Sequence, residues 1–399
     1  MVIGLWKFVK NLRWVLMMNK KVMLFSRDPG GANTVAPLYT KLIDKGYDVK
    51  LFGKDAALKK YIQYGLSGIN ITDKVKVSSV EEIEKFLIEE SPDFLITGTS
   101  ADDYTEKYLW KACEKIGIKN FAILDQWVNY GVRFSKFSID ELNEYEKSKE
   151  HEYLPYKILV MDEYAKEQMI LTGIEDIKLL VSGQPYFDYL IDIQENFNEK
   201  NIIDFKNNMG TDGGDVVITF ASEPISMTYK ETDISEHYWG YTERTIFKQF
   251  IKVLNNIAEN NKIKIKLIIR LHPKEDENNY KDILDSISSK YISITVDKKL
   301  NGFELICASD LICGMSSMFL IEAAIIGKPI MSMQMGLKRE NSFILHKKAI
   351  IKSILSEEKL EYELKKILLE KKIEGCNFKV EKGVVDKVIN FMEEILCQC

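Results

Sequence analysis

From Lys21 onward, short apolar runs alternate with longer stretches in which apolar residues recur every three or four positions. The short runs predict strands over residues 21–26, 48–52, 94–97, 120–124, 157–160 and 177–181. Helices fall between them: one over residues 36–45, stopped by Gly46, and one that runs to Glu90 from the capping box Ser79-Val80-Glu81-Glu82. A second series follows, with strands over 215–220, 264–271, 292–296, 311–313 and 329–333 and a helix over 242–260 between the first two. Helices over 357–372 and 382–396 complete the pattern.

Repeated strand–helix units of this length imply parallel sheets covered on both faces. The fold class is therefore α/β, with two Rossmann-like parallel-sheet domains facing across a cleft. The divisions are residues 1–20, a basic amphipathic helix; 21–190, the first sheet domain; 191–214, a linker; 215–380, the second sheet domain; and 381–399, a C-terminal helix. The linker is drawn from a polar stretch over 193–214 that ends in Gly210, Gly213 and Gly214. Residues 141–152 are charged and poor in apolar groups, and read as a mobile surface insertion. A ligand is expected at the carboxyl ends of the strands, where this class of sheet opens its crevices.

Composition narrows the picture. At 399 residues the chain is long for one core, and an apolar fraction of 46% with 29% charged residues is that of a globular protein. A net charge of −5 argues against a general nucleic-acid partner. Six cysteines lack framework spacing, which points to a reducing cytoplasm, and with only four histidines no zinc pattern forms. Residues 1–21 carry five Lys or Arg and no acid among Trp6, Trp14 and several aliphatics, too charged for a membrane span. Such a segment suits peripheral contact with an anionic membrane, at its inner face for a cytoplasmic protein; a packing helix or a non-native extension before Met18 are the alternatives.

The chemistry-bearing residues gather after the strands. Pro29, Pro185, Pro224 and Pro273 each follow a strand directly. In the first domain the strand ends read Arg27-Asp28-Pro29-Gly30-Gly31, then Thr97-Gly98-Thr99-Ser100-Ala101-Asp102-Asp103, then Asp125-Gln126-Trp127-Val128-Asn129-Tyr130 with Arg133 beyond. In the second they read Ser222-Glu223-Pro224, Arg270-Leu271-His272-Pro273 and Gly314-Met315-Ser316-Ser317. Ser316 and Ser317 stand where a helix N-cap belongs, so free N–H groups, the positive dipole end and two hydroxyls make an anion site there. The plainer alternative is that the serines only cap a helix.

Arg270-Leu271-His272-Pro273 followed by Gly314-Met315-Ser316-Ser317 and Glu322 resembles the His-Pro and Ser-Ser motif pair of GT-B glycosyltransferases, above all bacterial sialyl-, polysialyl- and Kdo-transferases that use CMP-activated sugars. Glycerophosphotransferases of teichoic acid synthesis carry a similar pair. The resemblance covers roughly residues 215–329 and the two-domain layout; the first domain matches no family whose chemistry is known to us. It implies a nucleotide site of Ser222, Glu223, Arg270, Pro273, Gly314, Ser316, Ser317 and Glu322, with His272 donating to the departing phosphate and Glu322 accepting from ribose hydroxyls. The alternatives are a satisfied loop histidine and a glutamate paired on a helix surface.

The first domain is expected to bind the acceptor and supply a base. Asp28 is the first candidate, with Gly30 and Gly31 allowing close approach; Asp125, Asp102 and Asp103 are alternatives, and turn formation is the competing role for Asp28. Arg27 and Arg133 suit an anionic sugar through bidentate pairing, Asn129 would line the same site, and Trp127 serves either that site or the core. No Asp-x-Asp stands at a strand end, so the expected reaction uses no metal and no cofactor beyond the nucleotide-activated sugar as co-substrate. The expected function is an inverting glycosyltransferase that moves a nonulosonic sugar from a CMP donor to a surface glycan or protein. Alternatives are a CDP-polyol phosphotransferase, a UDP-sugar 2-epimerase, for which more acids and histidines facing the sugar are expected, and a non-catalytic nucleotide or glycan binder.

Overall fold

The computed structural model describes residues 19–211, 214–229, 238–372, 375–376 and 378–398. The basic amphipathic segment read at residues 1–20 lies, apart from Asn19 and Lys20, outside the described residues, as does Gly213. The chain divides into two compact units. One runs up to Tyr189 and regains the chain from Glu381; the other is continuous from Leu190 to Val380.

The first unit is built on a seven-stranded parallel sheet: β1 Lys21–Ser26, β2 Asp48–Gly53, β3 Ile69–Asn70, β4 Phe94–Thr97, β5 Lys119–Ile123, β6 Lys157–Val160 and β7 Leu179–Val181. The spatial order is β3-β2-β1-β4-β5-β6-β7. Side chains alternate across a strand, and β1 divides accordingly. Val22 and Leu24 pack with the Pro29–Asp44 helix and with Val384, Val388, Ile389 and Met392 of the Val384–Leu396 helix. Met23 and Phe25 face the opposite layer, with Ile83, Phe86 and Leu109. Both faces are therefore dry, which is why these strands read as unbroken apolar runs.

The second unit carries a five-stranded parallel sheet: β8 Val216–Ala221, β9 Ile265–Arg270, β10 Ile292–Asp297, β11 Leu311–Gly314 and β12 Ile330–Ser332, in the order β10-β9-β8-β11-β12. Its core joins Ile218 and Phe220 of β8 to Phe247, Phe250 and Leu254 of the Glu243–Asn261 helix and to Leu360 and Leu364 of the Glu357–Leu368 helix. In each unit the strand order reverses beside the first strand, between β1 and β4 and between β8 and β11. At such a switch point the connections leave in opposite directions and open a crevice at the strands' carboxyl ends.

Three local expectations change. The Asp28-Pro29-Gly30-Gly31 stretch is no turn ahead of a helix at 36; the helix begins at Pro29, because a proline at its first position has the required φ and no N–H to waste. The polar 193–214 stretch is largely helical, as Pro185–Asn196 and Glu199–Asn208. Asn198 and Asn201 exchange capping hydrogen bonds there, and Phe197 packs edge-on against Phe303. Residues 142–148 of the charged insertion form a helix whose Tyr145 is buried, with its hydroxyl 3.0 Å from His151 Nε2.

Candidate functional site

In the second unit, β8 and β11 run side by side with Ala221 opposite Gly314. Two residues beyond each end, Glu223 comes level with the Met315–Ser316 turn. Gly314 has no room for a side chain: a Cβ would lie 2.7 Å from Leu320 and 2.9 Å from the Ala221 carbonyl. Ser317 is the N-cap of the Met318–Ile325 helix, its hydroxyl accepting from the Phe319 N–H at 3.1 Å. The capping role is thus real for Ser317. Ser316 does something else. Glu223 Oε1 accepts from the Met315 and Ser316 N–H groups at 3.1 and 2.7 Å, and Ser316 Oγ donates to Oε2 at 3.0 Å. The concavity expected to hold phosphate oxygens holds an internal carboxylate. Burial pushes that carboxyl up to about 7, against the pull of the Ser316, Met315 and Ser317 donors.

The end of β9 is equally ordered. Arg270 pairs with Asp297 of β10 at 2.7 Å. His272, Pro273, Lys274 and Glu275 form a turn closed by the Glu275 N–H on the His272 carbonyl at 2.9 Å, with Pro273 at its second position. The His272 N–H donates to Glu275 Oε2 at 2.7 Å, and Ser222 Oγ donates to Glu275 Oε1 at 2.6 Å. His272 Nδ1 accepts from the Lys274 N–H at 3.2 Å, so the proton of a neutral ring sits on Nε2. Burial, with Lys274 and Lys298, lowers the imidazole pKa to about 4, so the ring is a neutral donor at physiological pH. Glu322 lies part-buried in the Met318–Ile325 helix, with its neighbours Ile321 and Ala323 in the core.

In the first unit, Asp28 occupies the N-cap position of the Pro29–Asp44 helix without capping it. Its carboxylate pairs with Arg27 at 2.8 Å, and Arg27 also reaches Asp55 at 3.0 Å. Gly30 sits in the first helical turn, where a Cβ would fall 1.9 Å from Asp125 Oδ2. Asp125 thus approaches the helix start only because Gly30 is bare. Its Oδ1 accepts from Arg133 Nη1 at 2.9 Å, and the same nitrogen donates to the Thr99 carbonyl and hydroxyl at 3.0 and 2.9 Å. Burial raises the Asp125 pKa against the pull of Arg133, and Asp28 adds to the rise. Arg27, Asp28, Gly30, Asp125, Thr99 and Arg133 therefore meet beside the β1–β4 switch point. Asp102 is exposed in the loop beyond it, and Asn129 takes a left-handed φ of 54°. Trp127 donates to Asp162 at 3.0 Å and stacks on Phe187.

Several buried polar atoms beside these residues have no hydrogen-bond partner among the described residues: Tyr130 Oη, Arg133 Nε, Gln184 Oε1 and Glu106 Oε2. Glu106 and Gln184 were not singled out from the sequence. Glu106 lies in the first turn of the amphipathic Thr105–Ile116 helix, where an acid is ordinary, and Gln184 belongs to a Gly-Gln-Pro run that reads as a strand end. Glu275 stood in view next to the His-Pro pair but reads locally as a helix-opening acid. Among the described residues no group of three or more His, Cys, Asp or Glu is placed to hold a metal ion, and no helix is long and apolar enough to cross a membrane.

No family model matches the chain, and no curated protein matches it in sequence. Solved structures do match in shape. UDP-GlcNAc 2-epimerase from Methanocaldococcus jannaschii superposes with a TM-score of 0.65 at 18% identity, over 94% of this chain and 99% of its own. UDP-GlcNAc 2-epimerase from Neisseria meningitidis, bound to UDP-GlcNAc, gives 0.61 at 15% identity, over 94% and 100%. The fold is of the GT-B type. A glycosyltransferase from Rickettsia africae shares it at a TM-score of 0.56 and 12% identity, over 96% and 100%. This GT-B likeness extends to UDP-GlcNAc 2-epimerases and to a glycosyltransferase, and does not single out the CMP-sialyltransferase type.

Proposed function

We propose that the protein is an enzyme acting on a nucleotide-activated sugar, and within that class a UDP-sugar 2-epimerase. The observation that carries this reading is the carboxyl cluster at the β1–β4 switch point. Inverting a UDP-sugar at C2, where no neighbouring carbonyl acidifies the proton, means taking that proton on one face as the C1–O bond to UDP breaks, then returning a proton to the other face as UDP adds back, which calls for carboxyl groups held close together. Asp125 and Asp28 fit that need: Asp125 reaches the start of the helix that Asp28 precedes, and burial, with the charge of Asp28, raises the Asp125 pKa. The neutral Nε2–H of His272 and the Gly314–Ser317 turn are suited to negative charge gathering on a phosphate oxygen. The likeness to two UDP-GlcNAc 2-epimerases across almost the whole chain supports the same choice.

A nonulosonic donor fits less well. Its carboxylate would want a free guanidinium, whereas Arg27 is engaged by Asp28 and Asp55 and Arg133 by Asp125 and Thr99. An inverting glycosyltransferase remains the second reading, favoured by the His-Pro and Ser-Ser pair and by the glycosyltransferase likeness. It needs a glycan or protein acceptor, which an epimerase does not.

The test has two arms. UDP at a hundredfold excess over its Kd should stabilise the protein by roughly 2–3 kcal/mol in a thermal shift, with CMP giving less. UDP-GlcNAc incubated with the enzyme in D2O should acquire deuterium at C2, read by NMR. Nucleotide binding without C2 exchange, joined by transfer to an added acceptor, would establish the glycosyltransferase reading instead.

A further inference from the structure

Glu223 takes the place that an anionic ligand would take. Its carboxylate engages two successive N–H groups and a hydroxyl of the turn that leads into the Met318–Ile325 helix, and the Ser317 N–H also pulls on it. Successive N–H groups of this kind form a concave anion site, and the helix dipole adds to it. The placement follows from register, since the chain leaving β8 runs beside the chain leaving β11. No Lys or Arg is hydrogen-bonded or ion-paired to this carboxylate in the described structure. A neighbouring hydroxyl strengthens the impression of a site built for more than a glutamate: Tyr241 is 1% exposed, and its Oη has no hydrogen-bond partner among the described residues. Burial first, and then the nearby charge of Glu223, raise its pKa.

We infer that Glu223 is a built-in occupant of the anion cradle, and that a phosphate or sulfate group binds there only by displacing its carboxylate. The inference rests on the nucleotide-sugar reading and deepens it by naming what the ligand competes with. Two negative groups cannot share the same N–H donors at close range without a cation between them. Displacement therefore leaves Glu223 beside a bound dianion, where it takes up a proton. A carboxyl already near 7 is poised to do so. The groups facing it are the Met315, Ser316 and Ser317 N–H groups, the Ser316 hydroxyl and the Tyr241 phenol. At the neighbouring strand end stand His272, with a pKa near 4, then Lys274 and Lys298, and Glu275, which burial raises. The site is thus specific for an anion that arrives with a proton.

Sulfate is the probe, because it stays a dianion across neutral pH, with UDP in parallel. Binding is measured by calorimetry from pH 6 to 8.5 on the full chain and on Glu223→Ala and Glu223→Gln. Sulfate affinity of the parent should fall as pH rises, approaching about tenfold per unit above pH 7 for one linked proton. Glu223→Ala should bind at least about tenfold tighter at pH 8 and lose that slope. Glu223→Gln keeps the shape without the charge; it should match the parent at pH 6, exceed it at pH 8, and decide the matter if the alanine variant does not fold. Weaker binding in a folded Glu223→Ala or Glu223→Gln would make Glu223 a prop of the cradle and overturn the inference. UDP binding that is equal in all three proteins and independent of pH would overturn it too, while leaving the nucleotide reading intact. Binding of neither anion to any of them would remove both.

Discussion

Glu106 is a carboxyl group held almost entirely away from water at 1% exposure. One oxygen accepts from the Arg27 N–H at 3.1 Å and the other has no partner. Burial, then the charges of Asp28 and Asp103, push its pKa up to about 8. The folded protein therefore holds a proton there that the unfolded chain releases near 4.5. The stability tied to that proton is full below about 4.5 and is lost as pH rises through about 8. Glu106→Gln mimics the protonated acid and should flatten this slope, which for a group so buried is on the order of a few kcal/mol. Urea unfolding of parent and variant at pH 5.5 and 8.5 reads it, and parallel losses in the two would refute the assignment. Of the groups that act on Glu106 only Asp103 is near it in sequence; Arg27, whose N–H it accepts, lies 79 positions away, and Asp28 is beside Arg27. Glu223 is the same kind of case: its partner Ser316 is 93 residues along the chain. By contrast, Ser317 as a cap and His272 before a proline turn were legible because both are local arrangements.

Among elements, legibility followed burial. Strands covered on both faces announced themselves as apolar runs, and β1, β4 and β6 keep the bounds read from the sequence. β3 is a two-residue edge strand with one exposed side chain, too short to leave a pattern. The Glu199–Asn208 helix was hidden by polar residues: none of its side chains is buried, and the Asn198–Asn201 capping exchange holds its start instead of an apolar stripe. The Pro29–Asp44 helix depends on two bare backbones meeting. A Cβ on Gly98, after β4, would lie 2.5 Å from the Gly31 Cα. Gly98→Ala should cost about 1–3 kcal/mol by overpacking and displace the helix start that carries Asp28. The urea midpoint measures the cost; a variant as stable as the parent would mean that the helix and β4 have slack between them.

For the whole molecule, the two sheets were legible as two series of alternating elements, while the membership of the last helix was not. Read alone, residues 384–396 are an amphipathic helix of no fixed address. In the fold they cover the face of the first sheet that holds Val22, Leu24, Phe94 and Phe121. Met392→Ala should therefore cost about 2–5 kcal/mol in the unfolding of the first unit, followed by hydrogen exchange of β1 and β4 amides. An unchanged exchange rate there would deny the helix that role. This arrangement also fixes an order of events during synthesis. A ribosome makes nearly all of the first unit early, yet the helix that closes its core emerges only after the entire second unit has been translated. The nascent first sheet must wait with that apolar face only partly covered, by the Pro29–Asp44 helix, at some 5–20 residues per second. The second unit, being continuous, is free to finish first. For this chain, the half begun earlier is the half completed last, and that interval is when a chaperone holding the open face of β1 would matter most.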